Sequence, residues 1–140
     1  MKILLAVDGS KYTKKMLAYL TTHDDLFSPS HNYTLFTACM GLPARVTTVV
    51  GKSVVNDYHT EEAEKVLSPT VKFLLHHGIN AKSDWKAGSP GPTIAEYADA
   101  NKFDLVIMGS HGHGSLANLV MGSVATQVLA HCKTPVLLVR

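Results

Sequence analysis

The chain of 140 residues is of common single-domain size and long enough to bury a core. With 46% hydrophobic and 17% charged residues it is too apolar to stay disordered. Its formal net charge of +2 is spread over scattered lysines and arginines, so it lacks the dense basic stripe expected of a nucleic-acid-binding protein.

Ile3 to Val7 is a continuous apolar run, the pattern of a strand covered on both faces. Asp8-Gly9-Ser10 closes it with good helix-capping residues, and a helix is expected over Lys11 to Leu20, with Met16, Leu17 and Leu20 on one face. Asp8 admits two roles from its position. It is either a cap or turn residue, or a polar group at the carboxyl end of the first strand, where open α/β sheets bind ligands. Lys11, Lys14 and Lys15 read as a solvated helix face.

Tyr33 to Met40 is the second strand. Gly41 to His59 has no clear period and is expected to be a long connection, with Val46 to Val50 and Val54-Val55 as short strand-like pieces. From Thr60 the pattern turns helical. Ala63, Val66, Leu67, Thr70, Val71, Leu74 and Leu75 recur at three- and four-residue steps. Pro69 falls inside the stripe without shifting its phase, so one kinked helix is expected, ending at Gly78. His76-His77 are neighbours that point apart on a helix and make no metal pair.

Asn80 to Lys86 is a weaker third strand. Thr93 to Asn101 is a helix, Leu105 to Met108 a fourth strand, Ser123 to His131 a helix, and Val136 to Val139 a terminal strand after Pro135. Strands that alternate with helices and read as apolar runs imply a doubly wound parallel α/β sheet with right-handed crossovers, in a single domain over 1–140. Cys39 and Cys132 sit in apolar surroundings without metal-type spacing and read as small buried thiols. The apolar run after Met1-Lys2 is too short for a signal peptide, and no run approaches a membrane span. A cytoplasmic protein without a membrane partner is expected.

The stretch Phe103 to Val124 carries the chemistry. A buried strand ending at Met108 feeds a glycine-rich loop from Gly109 to Ser115, and Gly122-Ser123 opens a helix. Glycines let backbone N–H groups approach an anion, and the helix dipole favours negative charge there. Two familiar phosphate motifs fail. A P-loop needs lysine where Ser115 stands, and the dinucleotide fingerprint needs an acidic residue about twenty positions on, where the chain has Ala130-His131-Cys132.

The spacing Gly109-x2-Gly112-x9-Gly122-Ser123 resembles the signature of the universal stress protein family, in its ATP-binding subset. AVDGS at Ala6 to Ser10, HHGI, AGSP, FDLVIMGSHG and the final PVLLVR resemble the family in the same order. The resemblance covers nearly the whole chain and is least characteristic over Gly41 to His59. It implies a five-stranded parallel sheet in the order 3-2-1-4-5, a Rossmann-like nucleotide-binding fold, a homodimer joined through Val136 to Val139, and bound ATP with Mg2+ or Mn2+. By position, Gly109, Gly112, Gly122 and Ser123 take ribose and phosphates. Ser110, His111, His113, Gly114 and Ser115 line the same loop, Met108 precedes it at the end of the fourth strand, and Val124 and Ala125 add backbone contacts. Asp8 falls beside the ribose or base, and Ala6 and Ala38 border the adenine. His113 stands where many members carry Arg or Lys, and Ala38 where many carry Val.

No Lys or Arg occurs between Lys102 and Lys133. The charge of a bound ATP then falls to backbone N–H groups, serine hydroxyls, the helix dipole and a metal. Histidine has a reference pKa of about 6.5, so a charged His113 would strengthen ATP binding as pH falls from about 8 to about 6. No full set of groups for phosphoryl transfer is evident; Asp8 and His111 are the only candidates. An ATP-binding regulatory module in stress response is the reading the residues favour. The alternatives are a slow ATPase or self-phosphorylating enzyme, with Ser110, Ser115 or Ser123 as acceptor, and a non-nucleotide dimeric adaptor.

Overall fold

The computed structural model describes residues 1–114 and 118–140. Ten elements follow one another: β1 (Lys2–Ala6), α1 (Lys11–Thr21), β2 (Asn32–Cys39), α2 (Ala44–Val50), α3 (Lys52–His76), β3 (Lys82–Ala87), α4 (Pro90–Ala100), β4 (Leu105–Gly109), α5 (Ser123–His131) and β5 (Val136–Val139). The strands form one sheet with every pairing parallel, as the alternation of strands and helices predicts, in the order β3-β2-β1-β4-β5 that the family resemblance implies.

Side chains alternate across the sheet, so one apolar run fills two cores. Ile3, Leu5 and Val7 face the layer of α1 and α3, with Met16, Leu20, Leu67 and Leu74. Leu4 and Ala6 face the layer of α4 and α5, with Ile94, Tyr97, Ala98 and Val128. In that second core the rings of Phe36 and Tyr97 stack at 4.1 Å, and the Tyr97 hydroxyl donates to Asp84 at 2.8 Å. Burial first, and that hydrogen bond second, push the Tyr97 phenol well above its usual range.

The two edges differ. β3 is exposed along most of its length and carries Lys82, Asp84 and Lys86, charges that discourage edge-to-edge pairing. β5 is Val-Leu-Leu-Val, half-buried throughout, with no charge of its own. No helix among the described residues is long and apolar enough to cross a membrane.

The expected connection over Gly41 to His59 is corrected. This segment is helical, forming α2 and the first two turns of α3, and Gly51 divides the two helices at φ +86°. Its run of Val and Thr favours strands by propensity alone. The segment instead joins β2 to the helix that covers it, and α2 buries none of its residues, so no sheet edge is offered to it. α3 is a single helix that runs through Pro69. The carbonyl that Pro69 leaves without a donor belongs to Lys65, on the exposed side. The buried stripe of α3 is His59, Ala63, Leu67, Thr70 and Leu74, whereas Leu75, expected to face inward, is 60% exposed. Gly78 follows the helix at φ +78°, a conformation that suits glycine.

Candidate functional site

β1 ends at Ala6 and hands the chain to Val7-Asp8-Gly9-Ser10. Ser10 is the N-cap of α1, its hydroxyl accepting from the Thr13 N–H at 3.4 Å. Asp8 fixes the same turn with one oxygen only. Its Oδ1 accepts from the Ser10 N–H at 2.9 Å and from the Thr13 hydroxyl at 2.8 Å. Among the described residues Oδ2 takes part in no hydrogen bond, and it lies where a Cβ on Gly112 would come within 2.8 Å of it. The two roles open to Asp8 in the sequence are therefore compatible: one oxygen holds the turn and the other faces the glycine loop.

The loop is tied down at several points. The Ser110 N–H donates to the Val139 carbonyl at 2.8 Å, and the Ser110 carbonyl accepts from the Gly122 N–H at 2.8 Å. These bonds bring the start of α5 back against the end of β4. His111 Nε2 donates to the Leu119 carbonyl at 2.8 Å, so in the neutral ring Nδ1 accepts from the Ser110 hydroxyl, also at 2.8 Å. The His111 ring lies 4.8 Å from that of Tyr12. His113 Nε2 donates to the Asp8 carbonyl at 2.6 Å.

The motif glycines pack tightly against the protein itself. A Cβ on Gly109 would meet the Tyr12 Cβ at 2.6 Å, and one on Gly122 would meet the His111 Cα at 3.1 Å. Gly122 is the N-cap of α5 and makes no side-chain cap hydrogen bond. Among the described residues the first N–H groups of that helix meet no capping side chain.

Over the carboxyl ends of β1, β2 and β4 opens a cleft of about 390 Å³. It lies where the chain turns from the β1-β2-β3 side of the sheet to the β4-β5 side, the switch point at which such sheets bind ligands. Of the residues singled out in the sequence, Ala6, Asp8, Ala38, Met108, Gly109, His111, Gly112, His113, Val124 and Ala125 line it together. Four others do not line it. Ser110 is buried with its hydroxyl bonded to His111; Gly122 is buried behind the loop; Gly114 and Ser123 are exposed. Ser115 lies outside the described residues.

The cleft has walls that sequence reasoning missed. α3 contributes Tyr58, His59, Glu62 and Val66; α4 contributes Pro90 and Ile94; β2 and its end add Thr37, Cys39 and Met40; α1 adds Thr13. Stepping the α3 stripe back four residues from Ala63 lands on His59, a signal present in the sequence. His59 is 5% exposed, and its Nδ1 has no hydrogen-bond partner among the described residues. Its carbonyl accepts from the Cys39 thiol at 3.7 Å. Burial, then the Glu62 carboxylate, push the Cys39 thiol up, so it remains a protonated thiol rather than a nucleophile. Among the described residues no group of three His, Cys, Asp or Glu side chains can hold a metal ion.

The universal stress protein family model matches residues 1–140. The chain belongs to the universal stress protein family. Among its relatives is universal stress protein Slr1230 of Synechocystis sp., 31% identical over 139 residues, which are 99% of this chain but 42% of that protein. The chain thus spans less than half of that relative's length. Among solved structures, protein MJ0577 of Methanocaldococcus jannaschii superposes with a TM-score of 0.77 at 27% identity, covering 99% of this chain and 94% of that one. The universal stress protein of Archaeoglobus fulgidus in complex with dAMP superposes at 0.67 with 21% identity, covering 100% and 98%.

Proposed function

We propose that this universal stress protein binds an adenine nucleotide, ATP being the ligand its motif suggests, and acts as a nucleotide-dependent regulatory module in the stress response. The reading takes 1–140 as one domain working in the cytoplasm, a setting that suits two free cysteines. The observation that carries it is the cleft at the switch point. Strand ends from β1, β2 and β4, the glycine loop and the start of α5 converge on one opening of about 390 Å³. The uncapped N-terminus of α5 beside it suits a phosphate. Ala6, Ala38, Met108 and Ile94 offer an apolar floor of the kind a purine ring needs. The A. fulgidus relative, solved with dAMP, supports the same ligand class.

A divalent cation fits this site only together with the nucleotide. The free Asp8 Oδ2 is one hard oxygen donor, and Mg2+ or Mn2+ commonly uses one or two carboxylates plus phosphate oxygens. Bound, the cation would neutralise phosphate charge. The regulatory output falls to the surface next to the cleft, where Met40, Val50, Val54 and Tyr58 are exposed around the start of α3. A homodimer through β5 completes the proposal, since pairing covers an apolar edge.

Equilibrium titration with adenosine, AMP, ADP and ATP, with and without Mg2+, tests the reading. Saturable one-site binding of any of them supports it. No binding up to about 5 mM, a free energy near that of any weak contact, overturns it.

A further inference from the structure

This inference rests on the adenine-nucleotide reading and names which nucleotide the cleft takes. We propose that the cleft selects an adenine nucleotide carrying a single phosphate and discriminates against metal-free di- and triphosphates. The ground is the charge of its walls. Its lining includes Asp8 and Glu62, the latter already paired with Lys65, and no lysine or arginine. The whole segment from Phe103 to Cys132, including the loop that would surround the phosphates, holds no lysine or arginine either.

The cations nearby are committed elsewhere. Lys65 Nζ pairs with Glu62 at 2.9 Å, where the two side chains are 70% and 42% exposed. Lys11 and Lys15 rest on the ring of Tyr12, at 5.4 and 5.1 Å, and belong to the exposed side of α1. Neither lysine lines the cleft. Among the described residues the Asp8 carboxylate has no such partner, and its Oδ2, without a hydrogen bond there, faces Gly112 in the loop itself.

Apart from the rings of His111 and His113, which line the cleft, the positive potential left in the site comes from the N-terminus of α5, worth about half a unit charge. That suits one phosphate group. Further phosphates add negative charge near Asp8 without a fixed cation to meet it. A pair of like unit charges about 4–6 Å apart costs roughly three- to fivefold in affinity even at the dielectric of water. ADP adds about one such charge to AMP and ATP about two, which carries the discrimination against ATP to about tenfold or more.

The test is isothermal titration of adenosine, AMP, ADP and ATP in chelator, repeated with Mg2+, on the wild type and on Asp8→Asn and His113→Arg. The expected result in chelator is AMP about tenfold or more tighter than ATP. Mg2+ narrows the gap, and both variants narrow it by about threefold or more. Asp8→Asn keeps an oxygen for Ser10 and Thr13, and adenosine, which has no phosphate, separates a lost sugar or base contact from a charge effect. ATP binding as tightly as AMP in chelator overturns the inference and leaves the nucleotide reading standing. A gap unchanged in both variants overturns the charge argument. Failure of all four ligands to bind overturns both readings together.

Discussion

His113 Nε2 donates to the carbonyl oxygen of Asp8 at 2.6 Å, across 105 residues of sequence. The contact joins the glycine loop to the turn after β1, the two backbone segments that meet over the cleft. His113 is itself exposed, so its loss leaves no buried group unpaired. His113→Ala is expected to change folding stability by no more than about 1 kcal/mol. It should weaken nucleotide binding by about tenfold, because the loop loses its tie to Asp8 and must be ordered by the ligand. Thermal melts and titration calorimetry on one preparation check both halves.

Gly109 and Gly112 belong to one motif but resist substitution for different reasons. A Cβ on Gly109 would press on the Tyr12 Cβ at 2.6 Å and on the Tyr12 backbone at 3.1 Å, which cannot move without shifting α1. Gly109→Ala should destabilise the fold by about 1–3 kcal/mol, the usual cost of overpacking. At Gly112 the only close atom among the described residues is the Asp8 Oδ2 at 2.8 Å, the end of a side chain that can swing. Gly112→Ala should leave the denaturant midpoint near that of the wild type and impair nucleotide binding instead. Chemical denaturation beside binding assays separates the two outcomes.

Most of the sheet was legible because its central strands are apolar runs, which need cover on both faces; β3, exposed and charged, gave a weaker signal. The loop from Gly109 to Gly122 was legible because spacing alone carries a motif. The wall of the cleft was less so. Val46 to Val50 is rich in β-branched residues, yet it lies in a helix that buries nothing, so local preference and final structure disagree there. His59 continues the α3 stripe, but a polar residue in an apolar register breaks the pattern by eye. Pro90 and Ile94 reach the cleft only because α4 packs beside α5, a relation no local pattern encodes.

Asp99 holds the end of α4 to the start of β5. Its carboxylate accepts from the Lys133 N–H at 3.0 Å, the Thr134 N–H at 3.1 Å and the Thr134 hydroxyl at 2.9 Å. The Lys133 N–H first, and the Thr134 bonds after it, hold the carboxyl below its usual value against partial burial. A lowered folded pKa means stability that is fully present above the unfolded value of about 3.9 and is lost as pH falls through the folded value. Wild-type Tm should therefore drop between about pH 4 and pH 2, and Asp99→Asn should flatten that part of the curve. Melts across this range, in the two proteins side by side, give the comparison.

The last prediction concerns the free side of β5. The Val106 N–H donates to the Pro135 carbonyl and the Ser110 N–H to the Val139 carbonyl, so residues 135 and 139 turn their backbone groups toward β4. Alternation then turns the N–H groups of Val136 and Leu138 outward, to the open edge. Deleting the strand would also remove the carbonyl that anchors Ser110, so a deletion would confound pairing with loop collapse. Leu138→Pro avoids this, because an edge strand tolerates proline when the missing N–H points away from its neighbour. If β5 pairs with a second copy, the wild type should run as a dimer in light scattering and Leu138→Pro as a monomer that still melts cooperatively, at a lower temperature because Leu138 also packs on the core under α4 and α5. A dimer that survives Leu138→Pro would place the interface on another face.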